Sequence, residues 1–335
     1  MKQEKHKNRN LQKIQQVIDT GNQSLYKLFN NERVGEILSD TLLVNTPYHG
    51  RISQKSLQIP SLDRGQDLSL IFGLDHRAFG RKYLEAISGD GQEAKKIRTL
   101  HSSSLLCLLC FYGISKERPL ILNLNGRGVK FTDSSFEVKT PVGKDENGKI
   151  HESNMDVVLR GNDIATGKRV ILFLESKFSE YLNWGAYRGI SNYVYGKTYA
   201  RLNNNHYLDR MGLKFAGNPG NIGYSDLSSI HGRTLHYAGG IKQMISHYMG
   251  VKNSADSGTY DGYDIYLGEI LYKFPESIDI DGLKYSDYDS IYRILAEGLN
   301  SLSEDKVKIL SRCLTYQDVF KSYDLDDSVR TFYSL

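Results

Sequence analysis

The stretch NMDVVLRGNDIATGKRVILFLESKF, residues 154–178, decides the reading of this chain. Residues 154–160 and 169–178 are rich in Val, Ile, Leu and Phe, and GNDIATGK between them has the composition of a turn. If the two runs pair as an antiparallel hairpin centred on Ala165 and Thr166, opposed residues have numbers summing to about 331. Asp156 then faces Glu175, and Asn154 faces Lys177. Side chains alternate along a strand, so Glu175 and Lys177 share a side. Cross-strand Cβ atoms lie about 4.5–5.5 Å apart, a distance at which two carboxylates repel unless a cation sits between them. A hard divalent ion is the economical answer, and Mg²⁺, with Mn²⁺ as its substitute, binds through one or two carboxylates while keeping exchangeable waters. The run VILFLESKF is continuously apolar up to Glu175, as befits a buried central strand rather than an edge.

Outward from this hairpin the chain alternates helical and extended patterns. Residues 1–40 carry apolar positions at helical spacing, and 41–73 read as an irregular connection with one short strand. Phe79, Tyr83, Leu84 and Ile87 mark a helix that SGDG at 88–91 stops, and a second helix is expected from about Gln92 to Tyr112. PLILNLN at 119–125 and FEVKTPV at 136–142 read as strands, GGIKQMISHYMGV at 239–251 as a helix, and YDIYLGEILYKF at 263–274 as a long strand. One or two helices are expected from about Asp287 to Leu310.

Composition bounds the class. A chain of 335 residues, 39% hydrophobic and 24% charged, with 6 Pro, matches ordinary globular usage rather than a disordered or collagen-like chain. No apolar run approaches the roughly 18 residues of a membrane-spanning helix, and the basic, polar N-terminus lacks the form of a signal peptide, so a cytoplasmic protein with no membrane partner is expected. The three cysteines, Cys107, Cys110 and Cys313, suit reduced thiols, and the CxxC inside LLCLLCFY reads as small buried apolar residues rather than a zinc site. The net charge of +4 hides an asymmetry: residues 184–252 carry eight Lys or Arg against two acids with eight Tyr interleaved, whereas 253–335 carry sixteen acids against eight bases. A basic, aromatic segment suits phosphates and bases and is a first hint of a nucleic-acid partner, with a solvated basic face, its Tyr used as core and surface filler, as the favoured alternative. His101, followed by three serines, marks a capped helix start, with a phosphate-contacting patch as the alternative.

The order Asp156, apolar strand, Glu175-x-Lys177 resembles the PD-(D/E)XK nuclease superfamily, whose restriction-endonuclease-like core runs helix, three strands, helix, strand. The resemblance covers roughly residues 90–275. It implies an α/β (α+β) fold with a central mixed sheet of four to five strands flanked by helices. Residues 1–90 would be an N-terminal helical extension, 91–275 the nuclease core with a Tyr-rich, DNA-facing insertion at about 181–238, and 276–335 a helical tail packed on the core. Met155 stands where the family often has Pro. The resemblance implies that Asp156 and Glu175 hold Mg²⁺, that Lys177 orients or polarises the attacking water, and that Gln243, on the helix after the motif strands, lies beside the site with Lys242 near a phosphate. The family often adds an acid from its first core helix; Glu85, Glu93 and Glu152 all stand for that place, although Glu152 on an extended strand lies about 13 Å from Asp156. The function so implied is a Mg²⁺-dependent DNA endonuclease of restriction or defence type, with a homodimer left open. An exonuclease, repair or RNA-directed nuclease, or an inactive nucleic-acid-binding module, are the alternatives.

Overall fold

Alternation of apolar and polar side chains builds one large sheet in this chain. The computed structural model describes residues 68–178 and 241–335, apart from 70–71, 89–93, 95–96, 98–101, 145–146, 274–284, 302–305 and 334, together with short backbone segments at 43–48, 52–57, 190–191, 214–215, 224–225, 227–230 and 233–234. The sheet has seven strands, more than the four to five expected: β1 (Leu120–Leu124), β2 (Arg127–Lys144), β3 (Ile150–Asp163), β4 (Arg169–Lys177), β5 (Tyr263–Leu271), β6 (Val307–Ile309) and β7 (Leu314–Thr315). Strands β1 to β4 form an antiparallel meander, and β5 then lies parallel to β4 with β6 and β7 parallel to it in turn, which makes the sheet mixed.

The meander turns where its sequence demands. Between β1 and β2 the chain reverses at Asn125 and Gly126, whose φ angles of 52° and 88° are the left-handed pair of a two-residue hairpin. Between β3 and β4, Asp163 accepts hydrogen bonds from the N–H groups of Ala165 and Thr166, and Gly167 takes φ 70°. The β3–β4 register runs from Asn162↔Arg169 to Val157↔Leu174, the expected alignment in which opposed numbers sum to 331.

Helices cover both faces. On one, α1 (His76–Ala86) and α2 (Ser103–Phe111) pack with α5 (Tyr316–Phe320) and α6 (Asp327–Tyr333); Ser176 marks this side, its hydroxyl donating to Ser103 O and meeting Tyr316 Oη at 2.7 Å. On the other lie α3 (Ile241–Asp256) and α4 (Tyr285–Asn300). Met244, Ile245 and Tyr248 of α3 are fully buried against the sheet, as their spacing requires. The helix comes so close to β2 that a Cβ on Gly250 would stand 2.3 Å from Thr140 Oγ1.

Several local expectations change. The helix expected without a break over 92–112 is interrupted: residue 94 is helical, Ile97 sits in a turn, and a helix runs over Ser103–Phe111 from Ser102, which is extended and caps it through its side chain. FEVKTPV is the middle of an 18-residue strand, bent by register shifts at Phe131/Asp133 and Pro141/Gly143. In the C-terminal stretch, Val307–Ile309 is a strand rather than helix, since its alternating buried residues add to β5. Residues 43–48 and 52–57, read as largely irregular, form a two-stranded antiparallel pair. The helical expectation for residues 1–40 lies outside the described residues. Cys107, Cys110 and Cys313 are buried free thiols whose pKa values burial pushes up, and no helix among the described residues is long and apolar enough to cross a membrane.

Candidate active site

Beyond Val157↔Leu174 the strands β3 and β4 part. On its other edge β4 stays paired with β5 along its whole length, through Glu175↔Glu269 and Leu271↔Lys177, and the Asp156 carboxylate takes the Ser176 N–H at 2.7 Å. The expected Asp156–Glu175 and Asn154–Lys177 pairs are therefore not part of the ladder; Asn154 pairs with Lys139 of β2. The parting leaves Asp156 half-buried at a notch between two strands, beside Glu175 and Lys177.

Glu175 and Lys177 are buried, at 4% and 6% exposure, and need partners to be tolerated there. Lys177 Nζ lies 2.5 Å from Glu175 Oε1 and 2.7 Å from Gln243 Oε1. The Gln243 amide closes the triangle by donating to Glu175 Oε1 at 2.9 Å. His247, one turn further along α3, binds Glu175 Oε2 through Nε2 at 2.8 Å, and its Nδ1 meets Ser153 Oγ at 2.5 Å. Burial works against the Glu175 charge, yet Lys177 and His247 outweigh it and hold its carboxyl well below the usual range. Asp156 behaves oppositely: burial, then the nearby Glu175 and Glu137, push its carboxyl up against the weaker pull of Lys177 and the Ser176 N–H.

Of the residues singled out in the sequence, Asp156, Glu175, Lys177 and Gln243 come together. His101, Glu93 and the Lys242 side chain lie outside the described residues. Glu85 and Glu152 do not complete the site: each forms a surface ion pair, with Lys82 and Lys139 respectively. The acid beside Asp156 is instead Glu137 of β2. It sits opposite Asp156, between the pairs Phe136↔Val157 and Val138↔Met155, with φ 48°, a conformation that non-glycine residues adopt only where the surroundings enforce it. With Glu269 on β5, four adjacent strands each contribute one acid to a row crossing the sheet. The row is spread out, and among the described residues no three His, Cys, Asp or Glu groups converge to enclose a metal ion.

His247, Ser153, Glu137 and Glu269 escape the sequence reading. For His247 a signal exists: it follows Gln243 by four residues, hence on the same helical face.

No curated protein and no solved structure matches this chain. Residues 80–211, which span α1 through the whole meander with Asp156, Glu175 and Lys177, match the family model described as "Restriction Endonuclease associating with ARP". The mixed sheet flanked by helices agrees with that match, which makes residues 80–211 similar to a restriction-endonuclease-like family.

Proposed function

We propose that the chain is a Mg²⁺-dependent endonuclease that hydrolyses DNA phosphodiester bonds in restriction or defence, by the chemistry of the PD-(D/E)XK superfamily. The carrying observation is the buried Lys177 ammonium, clamped between Glu175 and Gln243 beside Asp156. The donor set fits a hard cation. Asp156 Oδ2 accepts a main-chain N–H, and no hydrogen bond occupies Oδ1 among the described residues; Glu175 Oε2 accepts from His247 alone. The Asp156 carboxyl is raised by burial first and by the neighbouring Glu175 and Glu137 second, both of which a bound cation would relieve. Asp156 and Glu175 would hold the ion, which supplies Lewis-acid polarisation of the scissile phosphate and a more acidic water when bound.

Lys177 is placed to orient the attacking water and to balance charge growing on the phosphorane-like transition state. Gln243 receives one of the three Lys177 protons, so the ammonium is aimed rather than free to swing. The basic, Tyr-rich residues 184–252 suit a duplex contact by charge and stacking.

Incubation of wild-type protein with supercoiled and linear DNA, in Mg²⁺, Mn²⁺ or EDTA, tests this reading. Wild type is expected to linearise or nick the supercoiled form in Mg²⁺ and Mn²⁺ and to do nothing in EDTA. Lys177→Ala should reduce the rate by about 100-fold or more while leaving DNA affinity within about threefold, because it removes a transition-state interaction. Cleavage in excess EDTA, or full activity of Lys177→Ala, sinks the reading; degradation of linear DNA from its ends alone makes the enzyme an exonuclease.

A further inference from the structure

The Glu175 carboxylate offers four acceptor directions, two on each oxygen. Among the described residues Oε1 has two donors, Lys177 Nζ and Gln243 Nε2, whereas Oε2 has one, His247 Nε2. A carboxylate only accepts, so Nε2 of His247 carries the hydrogen, and Nδ1 on the far side of the ring is hydrogen-bonded with the Ser153 hydroxyl. Ser153 is itself fixed in β3, where its carbonyl accepts from Thr140 Oγ1 at 3.2 Å. His247 and Ser153 are 3% and 6% exposed, and both are joined to the site through the Glu175 carboxylate. This chain of bonds does no chemistry of its own; it decides how the Glu175 carboxylate is turned.

We propose that His247, steered by Ser153, is a positioning residue that locks the rotation of Glu175 and leaves one lone pair of Oε2 as the direction from which that carboxylate takes a divalent cation. The inference rests on the metal site proposed above and adds to it the oxygen used and the residues that select it. Without the His247 N–H the carboxylate is free to turn about its last torsion. Lys177 and Gln243 would then share both oxygens, and the open direction would no longer be fixed.

The test is Mn²⁺ binding to the full chain without DNA, followed by electron paramagnetic resonance of the free ion, with thermal melting recorded alongside. Wild type should bind and Asp156→Ala should lose most of the binding. His247→Ala should weaken binding by about tenfold or more, the size expected for loss of a partner behind a metal ligand. His247→Gln, whose amide N–H has a similar reach, should return to within about threefold of wild type, a rescue that a purely structural role does not give. Ser153→Ala should weaken binding by about two- to fivefold in the native background and have no effect beside His247→Gln. Wild-type affinity in His247→Ala, or His247→Gln binding as poorly as His247→Ala, overturns the positioning role while the metal site stands. If His247→Ala does not fold, unchanged affinity in Ser153→Ala overturns it. No Mn²⁺ binding by wild type overturns the metal site itself and the positioning role with it.

Discussion

Glu269 stands one strand away from the proposed metal ligand Glu175, 1% exposed, and neither of its oxygens has a hydrogen bond among the described residues; the nearby Tyr292 hydroxyl is likewise unsatisfied. Burial pushes its carboxyl up to about 7, with Lys177 pulling the other way. An acid whose folded pKa is raised destabilises the fold as pH climbs: the unfolded chain releases its proton near 4.5, the folded chain only near 7. Glu269→Gln should therefore match wild type in urea unfolding at pH 4 and exceed it by about 3 kcal/mol above pH 8, since each pKa unit is worth about 1.4 kcal/mol. A gain that is the same at both pH values would show that folding does not raise the pKa of Glu269. This residue also shows where sequence reading stops. Asp156, Glu175 and Lys177 were legible because one hairpin fixes all three through its turn, whereas Glu269 joins them only through a parallel pairing between segments some ninety residues apart. Glu137 was hidden by a positive φ in the middle of a strand, and Ser153 has no pattern to betray it.

At the scale of elements, the pairing of β2 with β3 shifts register on either side of Glu137 and Asp156. A Cβ on Gly161 would fall 2.1 Å from the Lys130 carbonyl oxygen and 2.6 Å from Phe131 Cα, at the register shift where β2 bends. Main-chain atoms cannot yield as a flexible side chain can. Gly161→Ala should consequently cost about 3 kcal/mol, at the upper end for overpacking, seen as a lowered urea midpoint. A midpoint within the error of wild type would mean that the two strands separate freely there. The hairpin of β3 and β4 was legible in register because its apolar runs and turn are contiguous. The start of α2 was less so: Gln92 to Tyr112 has helical character in composition, but Ser102 offers the main chain a cap and the helix begins after it.

For the molecule as a whole, the parallel half of the sheet is held to the meander by charge as well as by main chain. Arg127 of β2 bonds Asp163 at the end of β3 and Asp264 of β5, each at 2.8 Å, and Lys168 reaches the same Asp264. At the opposite end Tyr333 of α6 packs on Phe178 and Tyr272, just past Lys177 and Leu271. Between these anchors the chemistry is split, Asp156, Glu175 and Lys177 on the sheet and Gln243 and His247 on α3, so its geometry depends on how far that helix stands off. Gly250 sets the distance by having no side chain against Thr140. His247 and Gln243 lie about 4.5 Å and 10 Å along the helix from it, near enough for a rigid rod to carry a displacement to both. Gly250→Ala should thus reduce cleavage by about tenfold with every residue of the site intact, and pairing it with Thr140→Ala should recover part of the loss in the same plasmid assay. A site assembled this way has a gauge: a shim one methyl thick, inserted behind the helix, retunes the proposed activity without altering any residue of the site.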